Sequence, residues 1–202
     1  MSAAAIKRKP RVDHAARREA YVGIAAQVLL DKGLHTATMR DFAEAANAPK
    51  VLFYRLFPSR EALVEAVFQR VIDAIQAAYD QPWEGYGSMV GRVLETARQD
   101  PAPFLVVFKN CRTGPAGAEW ESRLREAMRR TALPLFRPGD NAPPGAEERS
   151  KPAAGQLFGL LTDSMITWLE DRDGLDDATR IRWWGHIVRE ARKATREAFR
   201  LD

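Results

Sequence analysis

The chain has little with which to do chemistry. Its 202 residues include one cysteine, Cys111, which excludes an intrachain disulfide and any multi-cysteine metal site, and which reads as a core thiol. The three histidines, His14, His35 and His186, are scattered along the chain, and Cys111 has no base visible near it in the sequence. The string "GYGSMVG" does not have the G-x-G-x-x-G spacing and follows loop signals instead of a strand, so nucleotide binding is not expected there. No catalytic residue, metal site or cofactor is expected. No run of eighteen apolar residues occurs, and the start "MSAAAIKRKPRV" is basic without an apolar core, which points to a soluble cytoplasmic chain with no membrane partner. Sustained polar/apolar alternation, the mark of a half-buried strand, is also missing.

Apolar content is ample. At 46% hydrophobic, the chain can bury a sizeable core, enough for one large domain or for a small and a medium one. The net charge is +4, but it is unevenly placed: residues 1–60 carry 11 basic and 5 acidic side chains, leaving 20 and 22 for residues 61–202. The positive excess therefore lies in the N-terminal third, where it can neutralise phosphates of nucleic acid or of an anionic membrane, or simply be solvated.

Helical periodicity fills the rest. Tyr21, Ile24, Ala25, Val28 and Leu29 line one face of a first helix over about 13–32, closed by Gly33. Thr38 is a good N-cap for a second helix, "MRDFAEAA", with Asp41 three residues on as in a capping box. Ser59 can cap a longer fourth helix running to about Tyr79, with Leu63, Val67, Val71 and Ile75 as its stripe. Further helices are expected at about 88–99, 103–112, 119–136, 153–171 and 176–199, with the Pro/Gly-rich stretch 137–152 as a loop. The expected fold is all-α with about nine helices: a small N-terminal unit, a connecting fourth helix and a C-terminal bundle.

The segment "NAPKVLFYRLFPS" carries the most information. Asn47 suits a left-handed turn residue, and Pro49 has the fixed φ of a first helical position, so a third helix should run from Pro49 to near Phe57. At 1.5 Å per residue it is about 12 Å long, close to the width of a DNA major groove. Phe53 and Phe57, one turn apart, should face inward, leaving Lys50 and Tyr54 on another face beside Val51 and Arg55. Helix, short turn and short helix make a helix-turn-helix, although an ordinary helical hairpin with a solvated polar side has the same pattern.

Residues 17–68, including "DKGLHTATMRDFAEAANAPKVLFYRLFPSREAL", resemble the TetR family of transcriptional repressors. Gly33, Thr38, Ala43, Tyr54, Phe57, Glu61 and Leu63 stand where the family pattern has the same residues; Arg60 stands where lysine is usual. Asn47, Leu52 and Leu56 depart from the usual glycine, small hydroxyl residue and histidine. The resemblance implies a flexible basic arm at 1–12, with "KRKPR" entering a minor groove, a DNA-binding domain at 13–60, and a ligand-binding and dimerisation domain at 61–202. It implies that Thr38 and the second helix's N-terminus bind one phosphate, that Tyr54 and Arg60 bind others, and that Lys50 probes the groove. The whole candidate contact set is Thr38, Arg40, Pro49, Lys50, Val51, Leu52, Tyr54, Arg55 and Arg60, with Leu52 touching a thymine methyl.

The implied function is a ligand-responsive repressor that binds a palindromic double-stranded operator as a homodimer. The other classes left open are a helical protein that binds a partner or an anionic membrane through its basic end, and a helical enzyme. The last two helices should form the dimer interface through Leu157, Leu161, Ser164 and Trp168, with Gly155 and Gly159 allowing close approach, and through Trp184, Val188 and Ala191. A small-molecule effector, largely apolar or aromatic, should sit among Phe104, Phe108, Cys111, Trp120, Leu124, Met128, Phe158, Met165 and Trp168, with Asn110, Arg112 and Asp163 as polar neighbours.

Overall fold

A computed structural model of the chain describes residues 14–110 and 114–201, without the side chains of 114–118, 121, 128, 131, 132 and 147. The basic arm at 1–12, Cys111 and Arg112 lie outside the described residues, as does the Met128 side chain. Every regular element among the described residues is helical: α1 (His14–Lys32), α2 (Met39–Ala45), α3 (Lys50–Leu56), α4 (Arg60–Tyr79), α5 (Ser88–Gln99), α6 (Pro101–Asn110), α7 (Gly114–Ala132), α8 (Ala146–Leu169) and α9 (Asp177–Phe199), with a 3-10 turn at Leu133–Phe136.

The apolar stripes read from the sequence form the core. Tyr21, Ala25, Val28 and Leu29 of α1 are buried, as are Leu63, Val67, Val71 and Ile75 of α4. One hydrophobic cluster runs from Tyr21 on α1 to Val188 on α9, so packing continues past residue 60 without a break. α4 is the element that links the two ends. Near its start Arg123 of α7 holds Glu65 at 2.6 Å and Gln69 at 2.7 Å, and Phe68 packs on Trp120 with ring centroids 4.3 Å apart. One turn on, Arg70 pairs with Asp100 at the head of α6 at 3.0 Å, and Gly23 of α1 abuts the same carboxylate, where a Cβ would lie 3.2 Å away.

Four boundaries differ most from expectation, the first being α7, which begins at Gly114 instead of about 119. α8 begins at Ala146, so the loop expected over 137–152 ends seven residues earlier, and Pro152 sits inside the helix. A proline there removes its own bond to the Glu148 carbonyl, and Glu148 is an exposed residue, where an unmade bond costs least. The helix expected to end at Phe136 gives way at Leu133 to the 3-10 turn, because Pro134 cannot continue α-helical bonding. α6 starts at Pro101, two residues earlier than expected, with proline in the first-turn position it favours.

Candidate nucleic-acid interface

The site begins with a cap. Thr38 is extended (φ −114°, ψ 164°) and its hydroxyl accepts from the Asp41 backbone N–H, while its own N–H donates to the Asp41 carboxylate at 2.7 Å, completing the capping box. Lys32, the last residue of α1, donates to the other Asp41 oxygen at 2.5 Å. The Lys32 ammonium and the Thr38 hydroxyl and N–H hold the Asp41 carboxyl well below its ordinary range. α2 is thereby locked against the end of α1.

The turn follows from one residue. Asn47 has φ 45°, in the left-handed region that asparagine tolerates better than other side chains. The chain reverses there, and the Ala48 N–H donates to the Ala43 carbonyl at 3.0 Å. Pro49 then precedes α3 with ψ 134°, so it is the N-cap and not the first helical residue, a one-residue correction to the expected start. A lone helix of seven residues is not stable in water, so α3 depends on what holds it. Phe53 and Phe57 are the anchors, with 0% and 1% of their surface exposed. Phe53 stacks on Tyr21 of α1 with centroids 4.4 Å apart and planes 9° from parallel, and the Arg18 guanidinium lies 5.0 Å from the Phe57 ring centroid.

Anchoring one face presents the other. Pro49, Lys50, Val51, Tyr54 and Arg55 are exposed, with Val51 at 60% and Tyr54 at 47%. The Lys50 ammonium lies 5.9 Å from the Tyr54 ring centroid, so cation and phenol occupy one surface. Leu52 and Leu56, the two departures from the family pattern, are half-buried and pack against the core. The exposed aliphatic group on this face belongs to Val51 instead. Thr38 and Arg40 are exposed on α2, and Arg40 pairs with Glu44 one turn on at 2.6 Å.

Arg60 is placed otherwise. Its Nε donates to the Ala37 carbonyl at 2.7 Å, Nη2 donates to the Leu34 carbonyl, and Nη1 lies 3.7 Å from Glu61. These bonds tie the α1–α2 connection to the first turn of α4, a role with no local signature in the chain. Lys32 and Arg18, which brace the site from α1, also went unread, because their partners are far off in sequence.

Residues 24–67 match the family model described as bacterial regulatory proteins, tetR family, a span that covers the end of α1, the helix-turn-helix and the start of α4. The helix-turn-helix segment is therefore similar in sequence to the tetR family's DNA-binding region. An HTH-type transcriptional repressor, KstR2 of Mycolicibacterium smegmatis, is 34% identical over 67 residues, which is 33% of this chain and 33% of that relative. The match to this relative therefore spans about a third of its length. A tetR-family transcriptional regulator from Streptomyces coelicolor superposes with a TM-score of 0.65 at 18% identity, covering 93% of this chain and 85% of that one. Salmonella enterica GusR does so with a TM-score of 0.64 at 18% identity, over 92% of this chain and 100% of that one. At such identities the likeness speaks for the TetR fold throughout the chain.

The remaining expected site residues fall in the core. Phe104, Phe108, Trp120, Leu124, Phe158, Met165 and Trp168 are all buried. Leu157, Leu161, Ser164, Trp168, Trp184 and Val188, expected at a dimer interface, are buried within the single chain, and Ala191 packs against the same core. Their stripe is the inner face of α8 and α9. The outer face instead carries Leu160, 39% exposed, and Trp183, 45% exposed. A Cβ on Gly159 would meet nothing within 4 Å. Among the described residues, no helix is long and apolar enough to cross a membrane.

Proposed function

We propose that the protein is a transcriptional repressor that binds a palindromic DNA operator as a homodimer and releases it when a small, largely apolar or aromatic effector binds the C-terminal bundle. The observation that carries this reading is the short helix α3, whose Phe53 and Phe57 are fully buried while Lys50, Val51, Tyr54 and Arg55 stand exposed on one surface. An ordinary helical hairpin has no reason to expose a valine and a tyrosine between two cations; a groove-reading helix uses all four. Lys50 probes base edges, Tyr54 and Arg55 reach phosphate oxygens, and Thr38 with Arg40 bounds the same strand from α2. The basic arm at 1–12 adds counterion release.

A second copy would meet the outer faces of α8 and α9, where Leu160 and Trp183 are exposed. Two α3 helices would then enter successive major grooves about 34–36 Å apart. α4 is suited to couple effector to operator. It starts beside α3 and ends in the bundle, and Glu65 and Arg70 are tied to α7 and α6. An effector that prefers one placement of α4 changes the spacing of the two α3 helices, and its effect is limited by that preference.

Electrophoretic mobility with the DNA flanking the gene tests the reading. Sequence-specific retention by a dimer is expected; retention that is equal on any DNA, or none, would overturn it.

A further inference from the structure

α4 ends at Tyr79 and α5 begins at Ser88, and beside the residues that join them lies a cavity of about 180 Å³. Tyr86, Met89, Val90, Leu135, Trp184 and Val188 supply apolar wall from the connection, α5, the 3-10 turn and α9. None of the described residues expected from the sequence to hold an effector lines it. We propose that this cavity is the effector's seat, and that it takes an uncharged molecule of one or two aromatic rings. The proposal rests on the repressor reading for its regulatory meaning and on the cavity alone for the binding.

Size and walls set the ligand class. An apolar cavity of about 150 Å³ stays dry and takes up benzene, so this volume suits one ring or two fused rings. The back wall is fixed by two glycines. Gly87, at φ +98°, packs so closely on α9 that a Cβ would stand 2.8 Å from the Ile181 carbonyl oxygen, and a Cβ on Gly185 would stand 2.5 Å from that of Tyr86. The mouth is open and aromatic. Trp83 is 61% exposed and Tyr79 40% exposed, and the Trp83 ring stands edge-on to Tyr86 with centroids 5.4 Å apart. An exposed indole over an apolar hole is costly to leave in water and is covered when a ring enters. The polar edge is Arg92, which donates to the Pro82 carbonyl at 2.8 Å and pairs with Glu84 at 2.8 Å, so it staples the connection that carries Trp83.

Position gives the regulatory consequence. Ala78 and Tyr79, the last turn of α4, are part of the lining, whereas Arg60 at the other end fixes the helix-turn-helix about 30 Å away along α4. A ring that wedges between α4 and α9 acts at the far end of the lever that carries α3.

The probe is 5-bromoindole. A soaked crystal should show its bromine between Tyr86, Met89 and Trp184, and in solution at ten times its Kd it should raise the melting temperature by about 3–5 °C. Leu135→Trp and Met89→Trp, each filling the cavity, should abolish the shift in a protein that still melts cooperatively; two variants guard against one that folds poorly. Bromine in the ring of Phe104 and Phe158, a crystal site without a solution shift, or a shift unchanged in both folded variants would overturn the proposal. If the probe binds but the wild type retains no DNA specifically, the repressor reading fails and the cavity stands. If DNA binds and the probe does not, the cavity fails alone.

Discussion

Replacing Phe53 by alanine tests whether α3 is held by its anchors or by its own propensity. The side chain is 0% exposed and stacks on Tyr21 at 4.4 Å, so its loss removes a complete buried ring and leaves a cavity under the helix. Such substitutions cost about 3–5 kcal/mol, of which about 0.5–1.5 kcal/mol belongs to the aromatic pair. For a chain of this length, that lowers the melting temperature by about 6–20 °C. The loss should not be spread evenly. α3 has seven residues, fewer than a helix needs to persist alone, so its amides should exchange with solvent well before those of α4. Hydrogen exchange read by mass spectrometry over residues 47–58 would measure this, beside operator affinity. Protection in α3 equal to the wild type's, with a melting temperature lowered only slightly, would refute the anchoring argument. Phe53→Leu, which keeps most of the volume, should recover much of both.

Four further outcomes are expected. Lys50→Ala should relax base preference in the half-site, whereas Tyr54→Ala should weaken binding to all sequences alike; both can be read by fluorescence anisotropy against operator variants. Replacing thymine by uracil at one operator position per half-site should weaken wild-type binding about fourfold, from ~0.8 kcal/mol per buried methyl-sized group, and should not affect Val51→Ala. Asn47→Val should destabilise by about 1–2 kcal/mol because a branched side chain resists φ 45°, whereas Asn47→Gly should fold at least as well in a urea titration. Arg180, 2% exposed, is held by Asp173, by Asp177 at 2.6 Å and by Asp171 at 3.1 Å, and Arg180→Met should cost about 2 kcal/mol at neutral pH because those carboxylates still reach water. Arg98 and Arg180 depress the carboxyls of Asp171 and Asp177, and Arg180 that of Asp173, so this stabilisation is complete above the unfolded value of about 3.9 and is lost as pH falls through the lower folded values; the gap between Arg180→Met and wild type should close in acid melts.

Local patterns carried most of the fold. Thr38 with Asp41, Asn47 before Pro49, and the stripe from Leu63 to Ile75 are signals confined to a few residues, and each stands where expected. Pro152 misled because a proline's effect depends on whether the carbonyl four residues back can reach water. The inner and outer faces of α8 and α9 were confused for a related reason. Leu161 and Trp184 are apolar stripes in the sequence whether a subunit's own core or a second copy covers them, and only the packing of α7 on α8, of α5 on α9 and of the 3-10 turn on both decides. The cavity was missed because its aromatic residues, Trp83 and Tyr86, sit amid loop signals, where periodicity has nothing to say. A search for aromatics inside "QPWEGYG" would have flagged them. The resemblance implies a phosphate contact for Arg60, whereas its partners in the structure, the carbonyls of Leu34 and Ala37, are backbone atoms that leave no mark in a sequence.

Selection of binding sites from random-sequence duplex DNA, repeated with Lys50→Ala and Tyr54→Ala, tests the central claim most directly. The wild type should enrich an inverted repeat whose half-sites lie about one helical turn, or a multiple of it, apart, and both variants should lose affinity for it at moderate salt. Enrichment of no sequence, or of one that both variants bind as tightly as the wild type, would contradict the assignment of α3 as the reading helix.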